Sequence, residues 1–283
     1  MLCLLVGIHS ASITYYDRLE FMTFGEGILL GAVQGLTEFI PVSSSGHLVL
    51  LHLLGGPTSL DLAIDVLLQL ASVLAVIIYF RRDLLRLIQS LGVEARDEAK
   101  GGRTLLLALV AGTIPALIAG LLLEDVMETV FRSGATVAVA LLFGSALMFL
   151  AERRARQGEA LSPRKGFLVG LFQALALLPG VSRSGATISG GLLVGFSREE
   201  AVRFSFLLSI PILLGTGLKK LWDLLSTGLL FSLGLPLIVS FALSFLFSLL
   251  SIHFLISYLK KHSLNIFIVY RILIAALIFI LLV

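Results

Sequence analysis

Residues 27–46 read GILLGAVQGLTEFIPVSSSG, and residues 166–185 read GFLVGLFQALALLPGVSRSG. A gap-free shift of 139 residues lays the first on the second. It pairs Gly27 with Gly166, Leu29 with Leu168, Gly31 with Gly170, Gln34 with Gln173 and Leu36 with Leu175. Val42, Ser43, Ser45 and Gly46 then meet Val181, Ser182, Ser184 and Gly185. Matches at Gly, Gln and Ser exceed what shared hydrophobicity provides, so the two stretches are duplicates. Each begins with a short apolar run, Gly27–Pro41 or Gly166–Leu178, that ends in a Gly/Ser/Pro cluster before a second short apolar run. A helix needs about 20 apolar residues to cross a bilayer, so these runs are too short. Half-length helices broken by Gly and Pro at membrane depth predict a re-entrant hairpin lining a polar cavity.

The rest of the chain places these hairpins in a membrane. Of 283 residues, 58% are hydrophobic and only 14% are charged. Soluble domains carry about 25% charged residues, and their exterior needs polar cover. A soluble enzyme, a nucleic-acid binder and a disordered chain are thereby excluded. The net charge of +3 calls for no nucleic-acid partner, because membrane proteins place Lys and Arg in cytoplasmic loops. Cys3 is the only cysteine, which excludes an intrachain disulfide and a cysteine metal site. Residues 1–21 show no signal-peptide pattern and stand outside the functional argument, with Met22 a candidate start. The expectation is one membrane domain over residues 22–283, its repeat halves about 24–155 and 163–283.

Six windows read as full crossings: Leu62–Phe80, Thr104–Leu123, Ser133–Ala151, Phe204–Leu218, Leu235–Ser257 and Ser263–Val283. Gly228–Gly234 reads as an interfacial lead-in. Lys and Arg crowd into Arg81–Arg103, Glu152–Lys165 and Lys260–Lys261, which the positive-inside rule puts in the cytoplasm. The acidic Glu124–Arg132 turn falls outside, and Lys219 and Lys220 dissent from this assignment. Each half is a non-crossing hairpin followed by three crossings, an odd number, so the second half enters from the opposite face. The expected architecture is all-α, with six transmembrane helices and two re-entrant helical hairpins in an inverted-topology repeat.

A charged side chain at the bilayer centre costs at least about 2.5–3.5 kcal/mol, so the hairpin charges call for a role. Gln34 and Glu38, four residues apart, share one helix face, and Ser43, Ser44, Ser45, Gly46 and His47 follow. The second hairpin supplies Ser182, Arg183, Ser184 and Thr187, a cation where the first supplies a carboxylate. Each Ser-x-Ser-Gly turn is expected to open a half-helix, at His47 and Ala186, whose N-terminal amides favour an anion. Arg183 adds bidentate donors suited to phosphate. Carboxylate, hydroxyl, imidazole and guanidinium together are the parts of a phosphoryl-transfer site. Two blander readings stand beside this one: serines that serve helix packing, and Glu38–Arg183 as a purely structural ion pair. His52 and His253 read as structural or interfacial, and Asp65, Gln69 and Arg271 as second-rank candidates. Glu26, Glu124, Asp125 and Trp222 read as interface residues.

The blocks QGLTEFIPVSSSGH (34–47) and PGVSRSGATISGG (179–191) resemble the bacitracin-resistance family of undecaprenyl-diphosphate phosphatases. Layout and spacing agree from about Met22 to the C-terminus. The resemblance implies hydrolysis of undecaprenyl diphosphate to the monophosphate, which recycles the lipid carrier of peptidoglycan synthesis. It implies a divalent cation, Mg or Ca, held by Glu38 with Gln34. It also implies the bacterial plasma membrane, with the site open to the outer face. Glu38, Ser44, His47 and Arg183 are then the catalytic set, and Gln34, Ser43, Ser45, Ser182, Ser184 and Thr187 contact substrate. Many members carry Glu where this chain has Gln34, which shifts the chemistry onto Glu38 alone. The expected partners are the polyprenyl diphosphate and membrane lipids, with a homodimer left open. The acid-phosphatase-like lipid phosphatases need a second histidine after their Ser-Arg pair, and none occurs here until His253. The rival from another class is a polyprenyl-phosphate transporter or flippase, since inverted repeats with broken helices also build transporters.

Overall fold

A computed structural model describes residues 22–55, 60–92, 97–129, 133–155 and 158–282. The expectations for residues 1–21 lie outside the described residues, as do the side chains of Glu124 and Asp125. The described residues are helical throughout, with no strand. The first half contains α1 (Phe24–Thr37), α2 (Ser44–Gly55), α3 (Asp61–Tyr79), α4 (Arg81–Gly92), α5 (Asp97–Thr129) and α6 (Gly134–Arg153). The second contains α7 (Pro163–Leu175), α8 (Arg183–Leu193), α9 (Arg198–Ser226), α10 (Leu229–Ser232), α11 (Gly234–Leu259) and α12 (Asn265–Leu282).

Five helices, α3, α5, α6, α9 and α11, are long and apolar enough to cross a membrane. Their outward faces carry exposed Leu122, Leu150, Leu250 and Ile238, so the apolar surplus faces lipid. This is a multi-pass membrane protein. The short α1 starts at a capping box, in which Thr23 Oγ1 accepts from the Glu26 amide while Glu26 Oε2 accepts from the Thr23 amide. Glu26, read from sequence as an interface residue, is thus a helix cap. Phe204–Leu218 proved only the middle of α9, whose 29 residues run through Pro211 from a second capping box at Ser197. The Gly228–Gly234 stretch holds the single-turn helix α10. Between α3 and α5, α4 has three faces: Leu87 and Ser90 are buried, Leu85, Ile88 and Leu91 are exposed, and Arg82 and Arg86 point elsewhere. That pattern suits a helix lying along the bilayer surface.

Two seams of small residues hold the short helices in place. A Cβ on Gly27, Gly31 or Gly35 of α1 would strike the backbone of Pro236, Ser240 or Ser244 on α11. A Cβ on Gly166 or Gly170 of α7 would strike Ala108 or Gly112 on α5. Close approach of this kind lets helices attract without any hydrophobic driving force in lipid. α1 and α7 each thereby pack on a long helix from the other half. The centre is closed by Phe39, which lies edge-on to Phe206 with ring centroids 5.0 Å apart.

Candidate active site

The duplicated turns fold alike. Ser43 and Ser182 adopt φ of 75° and 73°, the only non-glycine residues with positive φ among those described. Each serine hydroxyl then caps the following helix: Ser43 Oγ accepts from the Gly46 amide at 3.2 Å, and Ser182 Oγ from the Gly185 amide at 3.1 Å. Ser43 Oγ is also 3.3 Å from Ser45 Oγ, and Ser182 Oγ is 3.2 Å from Ser184 Oγ. Because these serines are the caps, the helices start at Ser44 and Arg183, not at His47 and Ala186 as the sequence suggested. That shift brings the reactive side chains to the first helical position of each. The turns also grip one another, since the Gly180 amide donates to Ser45 Oγ at 3.4 Å and Ser184 Oγ donates to the Ile40 carbonyl at 3.3 Å.

A left-handed φ costs a non-glycine residue about 1 kcal/mol, and losing an N-cap hydroxyl costs about as much. Ser43→Ala keeps the strain and loses the cap, so it is expected to destabilise by about 1–2 kcal/mol. Ser43→Gly relieves the strain and is expected to fall within about 0.5 kcal/mol of the parent. Denaturant titration of both variants in micelles checks this order.

Between the turns, four side chains meet. Glu38, at the end of α1, is buried. Its Oε2 accepts from Ser44 Oγ at 2.7 Å and from Gln34 Nε2 at 2.9 Å. Its Oε1 accepts from Arg183 Nη2 at 3.0 Å. The Arg183 guanidinium also stacks over the Phe39 ring, 5.6 Å from its centroid, and Nη1 reaches the Ser205 carbonyl at 3.4 Å. Gln34, Glu38, Ser44 and Arg183 therefore converge, joining residues from both copies of the repeat. Thr187 stands one turn behind Arg183, donating to the Arg183 carbonyl at 2.7 Å and lying 2.6 Å from Ser205 Oγ.

His47 sits apart from this cluster. Its Nδ1–H donates to the Ser43 carbonyl at 2.7 Å, and that tautomer leaves Nε2 to accept from the Tyr270 hydroxyl at 2.7 Å. The two rings are stacked with centroids 5.7 Å apart. It lies in the first turn of α2, three residues after Ser44. The residues read as structural or interfacial divide. His52 is not alone, with Nε2 2.9 Å from Asp65 and Nδ1 3.4 Å from Asp61. His253 Nδ1 lies 3.3 Å from the Tyr79 hydroxyl. Trp222 is exposed.

Sequence reasoning missed Tyr270 and the serines behind Gln34. Gln34 Nε2 is 3.5 Å from Ser72 Oγ, which accepts from Ser248 Oγ at 2.9 Å and lies 3.2 Å from Ser244 Oγ. The four-residue spacing of Ser240, Ser244 and Ser248 was the available signal.

No group of three or more His, Cys, Asp or Glu able to hold a metal ion occurs among the described residues. The oxygens the site offers are those of the Glu38 carboxylate and Gln34 Oε1, which is buried and unpartnered while its Nε2 donates to Glu38. A hard cation such as Mg takes one or two protein oxygens and completes its shell from water and substrate phosphates. The residues fit a cation that a phosphorylated ligand shares.

Multi-pass apolar helices around a buried carboxylate, serine and guanidinium define a membrane protein built to handle an anionic, phosphate-like group. The family model described as bacitracin resistance protein BacA matches residues 27–277. The chain belongs to that family. It is 44% identical over 260 residues to an undecaprenyl-diphosphatase of Elusimicrobium minutum, covering 92% of this chain and 98% of the relative. A relative of the same name from Rubrobacter xylanophilus is also 44% identical, covering 89% of this chain and 96% of the relative. Undecaprenyl-diphosphatase 1 of Shouchella clausii is 40% identical, covering 92% and 96%.

Proposed function

We propose that this protein hydrolyses undecaprenyl diphosphate to undecaprenyl phosphate and inorganic phosphate, and so confers bacitracin resistance. Family membership supports the reaction. The observation that carries it is Ser44 Oγ held 2.7 Å from Glu38 Oε2 while Arg183 engages the other carboxylate oxygen.

In the proposed reaction Ser44 Oγ attacks the terminal phosphorus and its proton passes to Glu38 Oε2. The bond from phosphorus to the bridging oxygen breaks, and undecaprenyl phosphate leaves. Glu38 passes that proton on to the departing oxygen and returns to its carboxylate form, while His47, through its Nδ1–H, holds the Ser43 carbonyl that precedes Ser44. Water then cleaves the phosphoserine, Glu38 taking its proton and returning it to Ser44 Oγ as inorganic phosphate is released. Arg183 and the amides at the starts of α2 and α8 stabilise charge on the transferred phosphoryl group. Ser43, Ser45, Ser182, Ser184 and Thr187 line or brace the headgroup pocket. Glu38 and Gln34 would hold a divalent cation, Mg or Ca, which when bound neutralises phosphate charge.

The proposed arrangement in the membrane is six crossings, with α12 as the sixth, and two re-entrant hairpins, α1–α2 and α7–α8, in an inverted repeat. The halves span about residues 24–155 and 163–283, in the bacterial plasma membrane, with the headgroup pocket open to the outer face. Lys and Arg in the loops after α3 and α6 support that sidedness.

Phosphate release from undecaprenyl diphosphate by purified protein in micelles tests the reading. Ser44→Ala is expected to lower kcat at least about a hundredfold with little change in KM, since its hydroxyl acts in the transition state. A chelator is expected to lower the rate, with recovery on adding Mg or Ca. Movement of lipid across proteoliposomes without phosphate release would make the protein a carrier instead.

A further inference from the structure

Arg271, near the middle of α12, is fully buried. Its Nε donates to Ser145 Oγ at 3.2 Å and its Nη1 to the Pro41 carbonyl at 3.4 Å. Its Nη2 lies 3.1 Å from the Leu141 carbonyl and 3.0 Å from the carbonyls of both Gly180 and Val181. Pro41 belongs to the turn leading into Ser43 and Ser44. Gly180 and Val181 belong to the turn leading into Ser182 and Arg183. One guanidinium therefore ties together the two backbones that present the nucleophile and the phosphate-binding cation. The preceding residue, Tyr270, holds His47 Nε2. Two consecutive residues of α12 thus reach every turn of the site.

The charge of Arg271 is a second observation. All five of its acceptors are neutral, and among the described residues it forms no ion pair. Burying an unmatched cation is expensive, so its retention calls for a compensating charge. Glu38 and Arg183 neutralise one another. Arg271 then leaves the centre with a net positive charge before anything binds, the complement of a diphosphate.

We infer that Arg271 is a positioning residue for the hydrolysis. It fixes the register of the two turns, and the diphosphate headgroup in front of them supplies the counter-charge that the protein withholds. This inference rests on the phosphatase reading and adds a residue that touches neither Glu38 nor Ser44.

Two substitutions separate register from charge. Arg271→Met keeps the length of the side chain and removes charge and donors. Arg271→Lys keeps the charge but cannot span several carbonyls with a planar fork. Inorganic pyrophosphate is the probe, read as competitive inhibition of phosphate release and as a rise in melting temperature in micelles. Arg271→Met is expected to weaken pyrophosphate binding at least about tenfold and to lower kcat about a hundredfold. Arg271→Lys is expected to hold pyrophosphate within about threefold of the parent while kcat falls about tenfold. A folded Arg271→Met with both quantities within about twofold of the parent overturns the inference. If Arg271→Met does not fold, Arg271→Lys decides, and an unchanged kcat overturns it. Should the parent bind pyrophosphate but release no phosphate from a prenyl diphosphate, the hydrolase reading fails. Arg271 is then judged on pyrophosphate binding alone.

Discussion

Arg183→Ala is expected to reduce phosphate release by about a thousandfold. The same change should cost about 3–5 kcal/mol of stability, because it strips the counter-ion from a buried carboxylate. The Glu38 side chain is 5% exposed, so water cannot replace the guanidinium. The two losses are separable. A Glu38→Gln, Arg183→Ala double variant removes both charges and should regain most of the stability while staying inactive. Denaturant titration beside the phosphate assay tells the cases apart. Arg183→Ala with near-parental turnover would remove this residue from the chemistry altogether.

Gly31→Leu is expected to prevent assembly of the fold. A Cβ at Gly31 would fall within contact distance of the Ser240 carbonyl oxygen and Cα, which are backbone atoms and cannot swing aside. Parting α1 from α11 would also displace Gln34 and Glu38 from Ser72 and Arg183. The cost should exceed about 3 kcal/mol, the upper end of ordinary overpacking. Gly25→Leu, where a Cβ meets nothing within 4 Å, serves as the control and should purify like the parent. Size-exclusion chromatography of both from one detergent decides the matter, and equal monodisperse yields would show that the seam tolerates bulk.

Much of this was legible in the sequence because a bilayer makes polar residues conspicuous. Glu38 and Arg183 stand out in apolar stretches, and the duplication predicts that the turns carrying them resemble each other. They do, down to the positive φ of Ser43 and Ser182. The helix starts were misplaced by three residues, because a Ser-x-Ser-Gly string does not say which serine takes the cap. His47 was expected in one catalytic set with Glu38, Ser44 and Arg183, and its Nε2 pairs with Tyr270, a long-range contact that only packing of α12 creates. The role of Arg271 was hidden for a related reason. It meets backbone carbonyls, and carbonyls leave no trace in residue identity. The length of α9 escaped notice because Arg198, Glu199 and Glu200 break its apolar run, although they serve as its capped first turn.

The crossed pairing of the short helices carries a consequence for how the chain is made. Gly31 leaves the ribosome long before Ser240 exists, so the first hairpin must persist at the membrane without the helix it is shaped to fit. Its exposed Gln34 and Glu38 need water, another chain or an insertion factor until then. The second hairpin arrives with its partner α5 already synthesised. Biogenesis is therefore lopsided in a molecule whose finished halves look alike, and a ribosome stalled before α11 should leave the first hairpin open to proteases.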